Sequence, residues 1–292
     1  MAAHRGDRRQ PRVRARQDRD HRLSGTILGA RLANVRVTLP SILAPDPRLI
    51  VDGAAEGPTA VFLDYIRESP VRRMIGGFTD GMTSLGRGRL QLRLELMLHE
   101  MEKSGIAGDF QFAGNVITVD ARLPPIQRAG GRIGFTESSL TVGDVRGQLL
   151  GGEVRISGGS KPDGGVLVTA DGRATVEGLR AVLDHPWRRR LAGAMRYTAS
   201  ATIKDSRAQL ALDSTLEGLS SALPAPLSKA AAEVLPLRVE VFPGEGRDRI
   251  SVSLGPQTGR IITAEFLRAA QAGTATATPR AARPRCSCSG PW

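Results

Sequence analysis

Leucine occupies every second position in the stretch Arg89-Leu90-Gln91-Leu92-Arg93-Leu94-Glu95-Leu96-Met97-Leu98. An alternation with a period of two places the leucines on one face of a β-strand and mostly polar side chains on the other. An α-helix would spread the same leucines around its whole circumference. The pattern therefore predicts a strand with one apolar face and one solvated face.

The same alternation returns in six shorter segments, which are residues 35–39, 110–112, 154–156, 210–212, 237–241 and 250–254. Turn residues separate these segments. Residues 158–165 have the composition of a hairpin connection, and Asp171-Gly172 is a second turn signal. Short strands joined by such turns are typical of an antiparallel meander, so the sequence predicts a mainly β fold.

Residues 58–77 and 176–193 break this alternation and space their apolar side chains along one side of a helix. Each stretch contains a proline, Pro70 or Pro186, which ends one helix and can open the next. The two stretches therefore predict two short helical hairpins. Residues 69–77 also match residues 185–193 at a shift of 116 positions. The match indicates a repeat, and the alternative is chance similarity between two arginine-rich segments.

The 292 residues carry a net charge of +12, most of which lies near the two ends. Residues 1–22 contain eight arginines and three aspartates, and residues 268–292 contain four arginines and no acid. These compositions predict a disordered basic arm and a disordered tail around a folded part at 23–267. The repeat divides that part into units of about 23–172 and 173–267. Only four of the 41 basic residues are lysines, which favours a composition bias over phosphate recognition.

The sequence predicts no enzyme, no cofactor and no metal site. None of the four histidines belongs to a nucleophile, phosphate-loop or zinc motif. Cys286 and Cys288 have no further cysteine or histidine nearby that could complete a tetrahedral zinc site. No uncharged apolar run approaches the roughly 18 residues of a membrane span, and the arginine-rich start is not typical of a signal peptide.

The apolar face of the predicted meander has to be buried against something. One solution is a sandwich core, in which the side chains of an opposite sheet fill the space. The other is a curved sheet whose apolar face holds an apolar ligand. Aromatic residues make up only 4% of the chain, while leucine, valine and isoleucine are abundant. Composition alone favours the filled core but is compatible with both solutions.

Several segments together carry a resemblance to a known family. They are PTAVFLDYIRESP at 58–70, the leucine strand followed by GDFQFAGN at 108–115, GRIGFTE at 131–137, LGG at 150–152, and STLEGL with LPAPLSK within 214–229. Each motif is weak alone, but in this order they resemble the YhdP branch of the AsmA-like proteins. The resemblance covers roughly residues 25–255.

This resemblance implies a bridge-like lipid transfer protein, anchored in the inner membrane of Gram-negative bacteria by an N-terminal helix. Such proteins cross the periplasm as long β-sheet grooves and are implicated in moving phospholipid toward the outer membrane. The implied fold is a curved antiparallel meander with an open apolar groove and no catalytic residue. The implied acyl-chain contacts are the apolar side chains on one face, namely Leu90, Leu92, Leu94, Leu96, Leu98, Phe110, Phe112, Ile133, Phe135, Leu210 and Leu212.

The chain departs from full-length members because it is much shorter and shows neither an anchor helix nor a signal peptide. We therefore expect an internal segment, truncated or frame-shifted, on the periplasmic side of the inner membrane. Three functions stay open: phospholipid transport, a structural or regulatory role in envelope assembly, and nucleic-acid binding by the arginine arms. The expected partners are phospholipid acyl chains and envelope proteins of the two membranes, with no specific nucleic acid and no metal.

Overall fold

The structure is a computed structural model of the whole chain. It describes residues 14–17, 23–27, 29–39, 46–68, 72, 77, 79–97, 99–100, 104–120, 123–182, 186–204, 207–244, 247–256, 262–269 and 285–286.

The described residues form eighteen strands, two α-helices and one 3₁₀ helix. The first part of the chain contains β1 (Arg14–Gln17), β2 (Leu23–Ile27), β3 (Ala30–Thr38), β4 (Arg48–Pro58), α1 (Thr59–Glu68), β5 (Thr83–Leu85), β6 (Arg87–Met97), β7 (Gly105–Thr118), β8 (Ile126–Thr136) and β9 (Leu140–Leu149). The second part contains β10 (Gly152–Ser160), β11 (Val166–Thr175), α2 (Val176–Val182), the 3₁₀ helix (Pro186–Arg190), β12 (Leu191–Lys204), β13 (Arg207–Ser214), β14 (Leu219–Ser221), β15 (Leu237–Phe242), β16 (Arg247–Leu254), β17 (Ile262–Ala269) and β18 (Arg285–Cys286).

The strands pair antiparallel, and each long strand lies beside its neighbours in sequence. The order is β1-β2-β3-β4-β6-β7-β8-β9-β10-β11-β12-β13-β15-β16-β17-β18. The short strands β5 and β14 instead extend the sheet beside the end of β7 and the start of β12. Within the described residues the first and last strands do not pair, so the predicted open antiparallel meander is confirmed.

The two ends of the strands differ in what connects them. At one end, which we name the helix edge, α1 follows β4, α2 and the 3₁₀ helix follow β11, and residues 215–236 follow β13. At the other end, the hairpin edge, short turns such as residues 137–139 and 161–165 join the strands. The hairpin predicted at 158–165 is confirmed, because β10 and β11 pair directly across it.

A threonine stands at the start of each helix, as the first residue of α1 and directly before α2, and its backbone amide donates to a carbonyl of a neighbouring turn. The Thr59 amide donates to the Gly86 carbonyl at 3.0 Å, and the Thr175 amide donates to the Leu150 carbonyl at 3.0 Å. Thr175 Oγ1 also accepts a hydrogen bond from the Gly178 amide at 3.1 Å, which caps the first turn of α2. The two threonines are 116 residues apart, the same shift that relates the two arginine-rich segments.

Two details of the sequence prediction are wrong. Residues 191–193 were predicted as the end of a helical stretch, but they begin β12 and pair with β14. Asp171-Gly172 was predicted as a turn, but it lies inside β11. Gly172 pairs with Val154 on β10 and with Tyr197 on β12, and a Cβ at Gly172 would be 2.6 Å from the Tyr197 ring that lies over it. Packing across the sheet therefore overrides the local turn preference.

Short parts of both predicted tails form strands. Arg14–Gln17 pairs with β2, and Arg285–Cys286 pairs with β17. Residues 1–13, 18–22, 270–284 and 287–292 lie outside the described residues, as does most of the predicted helical stretch after Glu68. The boundaries at 22, 172 and 267 stay predictions.

Candidate functional site

One row of directly paired residues crosses the sheet from β3 to β17 without a polar side chain. Its members are Leu32, Ala55, Leu90, Phe110, Ile133, Val142, Gly158, Val168, Ala201, Leu210, Val241, Ile250 and Phe266. Neighbouring strands are about 4.8 Å apart, so the row runs for roughly 60 Å along the sheet. We name the side of the sheet that carries this row the apolar face.

The predicted groove residues that the structure describes all lie on this face. Leu92, Leu94 and Leu96 follow Leu90 along β6, and Leu212 follows Leu210 along β13. Phe112 and Phe135 accompany Phe110 and Ile133 on β7 and β8. Leu98 lies outside the described residues.

The centre of the apolar face is a closed hydrophobic core. Val154 is 3% exposed, Tyr197 4% and Met195 6%, and they belong to one buried cluster on the central strands. Helix α2, Trp187 of the 3₁₀ helix and Leu216 pack on the same cluster. We name this cluster the central core. It fills the apolar face of β7 to β12 with the protein's own side chains, from the helix edge to Leu140 and Val166 at the hairpin edge.

Two groups of half-buried residues flank the central core. The β6 strip consists of Leu49 and Val51 on β4 with Leu90, Leu92, Leu94 and Leu96 on β6. The β15 strip consists of Leu210 on β13, Val239 and Val241 on β15, and Ile250 and Val252 on β16. Among the described residues, neither strip belongs to the buried cluster or to the side chains packed against it.

The predicted groove residues therefore divide into two classes. Phe112 is part of the central core, and Phe110, Ile133, Phe135 and Leu212 pack against it. Leu90, Leu92, Leu94, Leu96 and Leu210 lie in the two strips and keep apolar surface that the described chain does not cover. The alternation in the sequence cannot make this distinction, because both classes have the same period.

Aromatic rings lie over glycines on the apolar face. The ring of Phe135 covers Gly108, where a Cβ would be 2.5 Å from the ring, and Tyr197 covers Gly172 in the same way. Each ring thereby replaces the side chain that the glycine lacks, as in other sheets where an aromatic residue pairs with glycine. Burial raises the pKa of Tyr197 to about 12, so its phenol is neutral at ordinary pH.

Helix α1 is anchored to the apolar face by one buried polar contact. Asn115, which is fully buried, donates from Nδ2 to Thr59 Oγ1 at 2.7 Å. Phe62 of α1 packs edge-on against Phe110, with ring centroids 5.1 Å apart. The GDFQFAGN motif at 108–115 thus places the helix on the sheet.

Two other family-like motifs stabilise the connections between strands at the helix edge. In LGG, Leu150 and Gly151 have φ values of 54° and 77° and form the two-residue turn between β9 and β10. In LPAPLSK, the Lys229 side chain is 5% exposed, and its ammonium donates to the Leu219 carbonyl at 2.8 Å and the Ala230 carbonyl at 2.9 Å. This lysine holds residues 215–236 folded over the end of the central core.

The opposite face of the sheet carries charged side chains and ion pairs. Arg132 makes a bidentate pair with Asp109 at 2.7 Å, which lowers the pKa of that carboxyl below its ordinary value through the hydrogen bonds. Arg93 contacts Glu95 at 3.0 Å on β6. We name this side the polar face. It is the solvated face that the alternation of β6 predicts.

A cavity of about 1380 Å³ lies on the polar face, over the strands β8 to β16. Its charged lining consists of six arginines and three acids, namely Arg128, Arg146, Arg155, Arg173, Arg196, Arg238, Glu153, Asp171 and Asp213. The site cannot be recognised in the sequence, because its arginines come from separate strands. Only the strand register brings them together.

A model of the family described as YhdP protein matches residues 21–281. The chain belongs to the YhdP family. The match extends beyond the span of 25–255 that the motifs suggested, and it confirms the resemblance to AsmA-like proteins. No curated protein and no solved structure matches the chain.

The family is not known as enzymatic. Among the described residues, no helix is both long enough and apolar enough to cross a membrane. The same part of the chain holds no group of three or more histidine, cysteine or acidic side chains placed to bind a metal ion.

Proposed function

We propose that this chain is a segment of a YhdP-family envelope protein whose apolar face holds phospholipid acyl chains for transport toward the outer membrane. The proposal places the chain on the periplasmic side of the inner membrane. The β6 strip and the β15 strip are the proposed contact surfaces, and the central core lies between them and separates them.

The observation that carries this proposal is the continuous apolar row, combined with the incomplete burial of its two flanks. The described residues form one sheet, and no second sheet packs on the β6 strip. Half-buried aliphatic side chains in an extended row mark a surface that an apolar ligand can cover.

The driving force would be the hydrophobic effect. Burial of each acyl methylene is worth about 0.8 kcal/mol, and the contact has no preferred direction. The row of paired apolar residues contains no charged group and no side-chain hydrogen-bond donor that would fix a ligand at one point. A chain bound to the β6 strip or to the β15 strip can therefore shift within that strip at small cost.

The test is the phospholipid content of the purified full chain, measured by solvent extraction and mass spectrometry. Leu94→Arg places a cation in the β6 strip, between Val51 and Ile106 on the neighbouring strands. We expect this variant to lose most of its bound phospholipid, because a charged group on an apolar surface resists burial.

Gln91→Arg is the matched control. It adds the same side chain to the same strand but on the polar face, opposite Asp109. We expect its phospholipid content to equal that of the wild type, and circular dichroism should show an unchanged sheet in both variants. Equal phospholipid in Leu94→Arg and Gln91→Arg, or none in the wild type, would contradict the proposal and favour the role in envelope assembly.

A further inference from the structure

The cavity on the polar face contains a pair of neighbouring arginines that make no ion pair with the acids lining it. Arg173 on β11 and Arg196 on β12 are directly paired across the two strands, and both line the cavity. Like charges in directly opposite positions destabilise a sheet, because their side chains begin about 5 Å apart. Within the described part of the chain, neither guanidinium makes an ion pair or a side-chain hydrogen bond.

Neighbouring arginines on the same face are neutralised. Asp144 bridges Arg146 at 2.6 Å and Arg155 at 3.2 Å. Arg238 contacts Asp213 at 3.2 Å and Glu240 at 3.0 Å. The three acids that line the cavity make no ion pair with Arg173 or Arg196 among the described residues. Asp171 accepts a hydrogen bond from Thr198 at 3.0 Å, Asp213 is paired with Arg238, and Glu153 on β10 lies beside Arg173 without an ion pair to it.

A third arginine at the cavity has an unusual backbone. Arg128 has a φ of 51°, a left-handed conformation that side chains other than glycine, asparagine and aspartate rarely adopt. It occupies a bulge between β8 and β9 and lines the same cavity. It too lacks an ion pair among the described residues. Strained residues at a cavity are typical of binding sites.

We propose that Arg173 and Arg196, with Arg128, bind a phosphoryl group in this cavity. A guanidinium presents a planar fork of donors that fits phosphate in a bidentate manner. A phosphoryl group has enough oxygens to engage two guanidinium groups together, and its charge removes their repulsion. The volume of about 1380 Å³ also accommodates the remainder of a polar molecule attached to the phosphate.

This site is separate from the proposed acyl-chain surface, because it lies on the other side of the sheet. A lipid whose acyl chains cover the β6 strip cannot reach it through the sheet. The phosphoryl group comes either from a small soluble compound or from the headgroup of a lipid at a membrane surface. Failure of this proposal leaves the acyl-chain proposal unaffected, and the reverse also holds.

The experiment is equilibrium dialysis of the full chain against radiolabelled inorganic phosphate at low ionic strength. We expect Arg173→Gln combined with Arg196→Gln to weaken phosphate binding at least tenfold, because it removes both guanidinium forks. Arg48→Gln is the matched control, since Arg48 is an exposed arginine at the start of β4 and does not line the cavity. It should bind phosphate as the wild type does.

A second readout is the thermal unfolding midpoint without phosphate. Relief of the like-charge pair should raise the midpoint of Arg196→Gln above that of the wild type, whereas removal of a purely structural arginine would lower it.

Sedimentation with phosphatidylglycerol vesicles and dialysis against glycerol 3-phosphate separate the two sources of the phosphoryl group, a lipid headgroup and a soluble compound. Arginine-dependent retention on vesicles assigns the headgroup, and arginine-dependent binding of the soluble compounds alone assigns the free phosphoryl group. Binding that does not depend on Arg173 and Arg196, absence of binding to every probe, or a lowered midpoint would overturn the proposal.

Discussion

The central core and the β6 strip have the same sequence pattern and lie on the same face of the sheet, yet they differ in burial. Val154 and Met195 are almost completely buried, whereas Leu92 and Leu94 stay half-buried. The difference comes from what lies above them. Helix α2, the 3₁₀ helix and residues 215–236 cover the centre, whereas Leu92 and Leu94 belong neither to the buried cluster nor to the side chains packed against it. Covering elements, rather than the strands, therefore decide which part of an apolar face is core.

The largest expected effect is on stability, because a truncation in the central core should cost more than one in the β6 strip. Met195→Ala should lower the free energy of unfolding by about 2–5 kcal/mol, because it leaves a cavity in the central core. Leu94→Ala should lower it by less than about 1.5 kcal/mol, because the side chain is only half-buried and its site can relax. Urea unfolding of the full chain measures both values. Equal losses would show that the β6 strip is ordinary core.

A second, smaller effect concerns close packing around the glycines. Gly172→Ala should cost about 1–3 kcal/mol, since the new Cβ would press on the ring of Tyr197 in the central core. Gly105→Ala on β7, beside the β6 strip, is the control because no atom lies within 4 Å of its Cβ position. It should leave the unfolding midpoint unchanged or slightly raised. If both variants unfold alike, the packing of Tyr197 is looser than the structure shows.

The smallest effect is a pH dependence at the hairpin edge, outside both apolar regions. The amide of Gly165 and then Lys204 lower the pKa of Asp163 below its ordinary value of 3.8. The stabilisation is therefore present above that ordinary value and is lost as the pH falls through the lower folded value. Asp163→Asn should unfold at slightly lower urea than the wild type at pH 7.

As the pH falls through the lowered folded pKa of Asp163, the urea midpoints of Asp163→Asn and the wild type should converge, because the wild-type carboxyl becomes protonated. A difference that persists at low pH would assign the effect to turn geometry instead of charge. The difference between Met195→Ala and Leu94→Ala should not change with pH, because neither region contains a titrating acid.

The alternation predicts strands at seven segments, each of which overlaps a strand of the sheet, but it does not predict β4 (Arg48–Pro58) or the short strand at Arg14–Gln17. The period predicts the alternation around Leu90, Phe110 and Leu210, the family resemblance implies that they share one apolar face, and the register aligns them in one row. The burial of Phe112 could not be predicted, because it depends on contacts with residues distant in sequence. The same holds for Arg173 and Arg196, whose juxtaposition is a property of the register. The turn preference of Asp171-Gly172 predicts the wrong structure, because the ring of Tyr197 that packs over Gly172 lies on the next strand and is not visible in the local sequence.

The sequential order of the long strands has a consequence for how this sheet forms and varies. Each strand joins a partner that the chain has only just completed, so loop closure is cheap and the sheet can grow outward from any hairpin. An added or deleted hairpin would lengthen or shorten the array by two strands and leave every other pairing in place. The length of the sheet, measured across its strands, is then set by the number of hairpins and does not depend on the chemistry of either face.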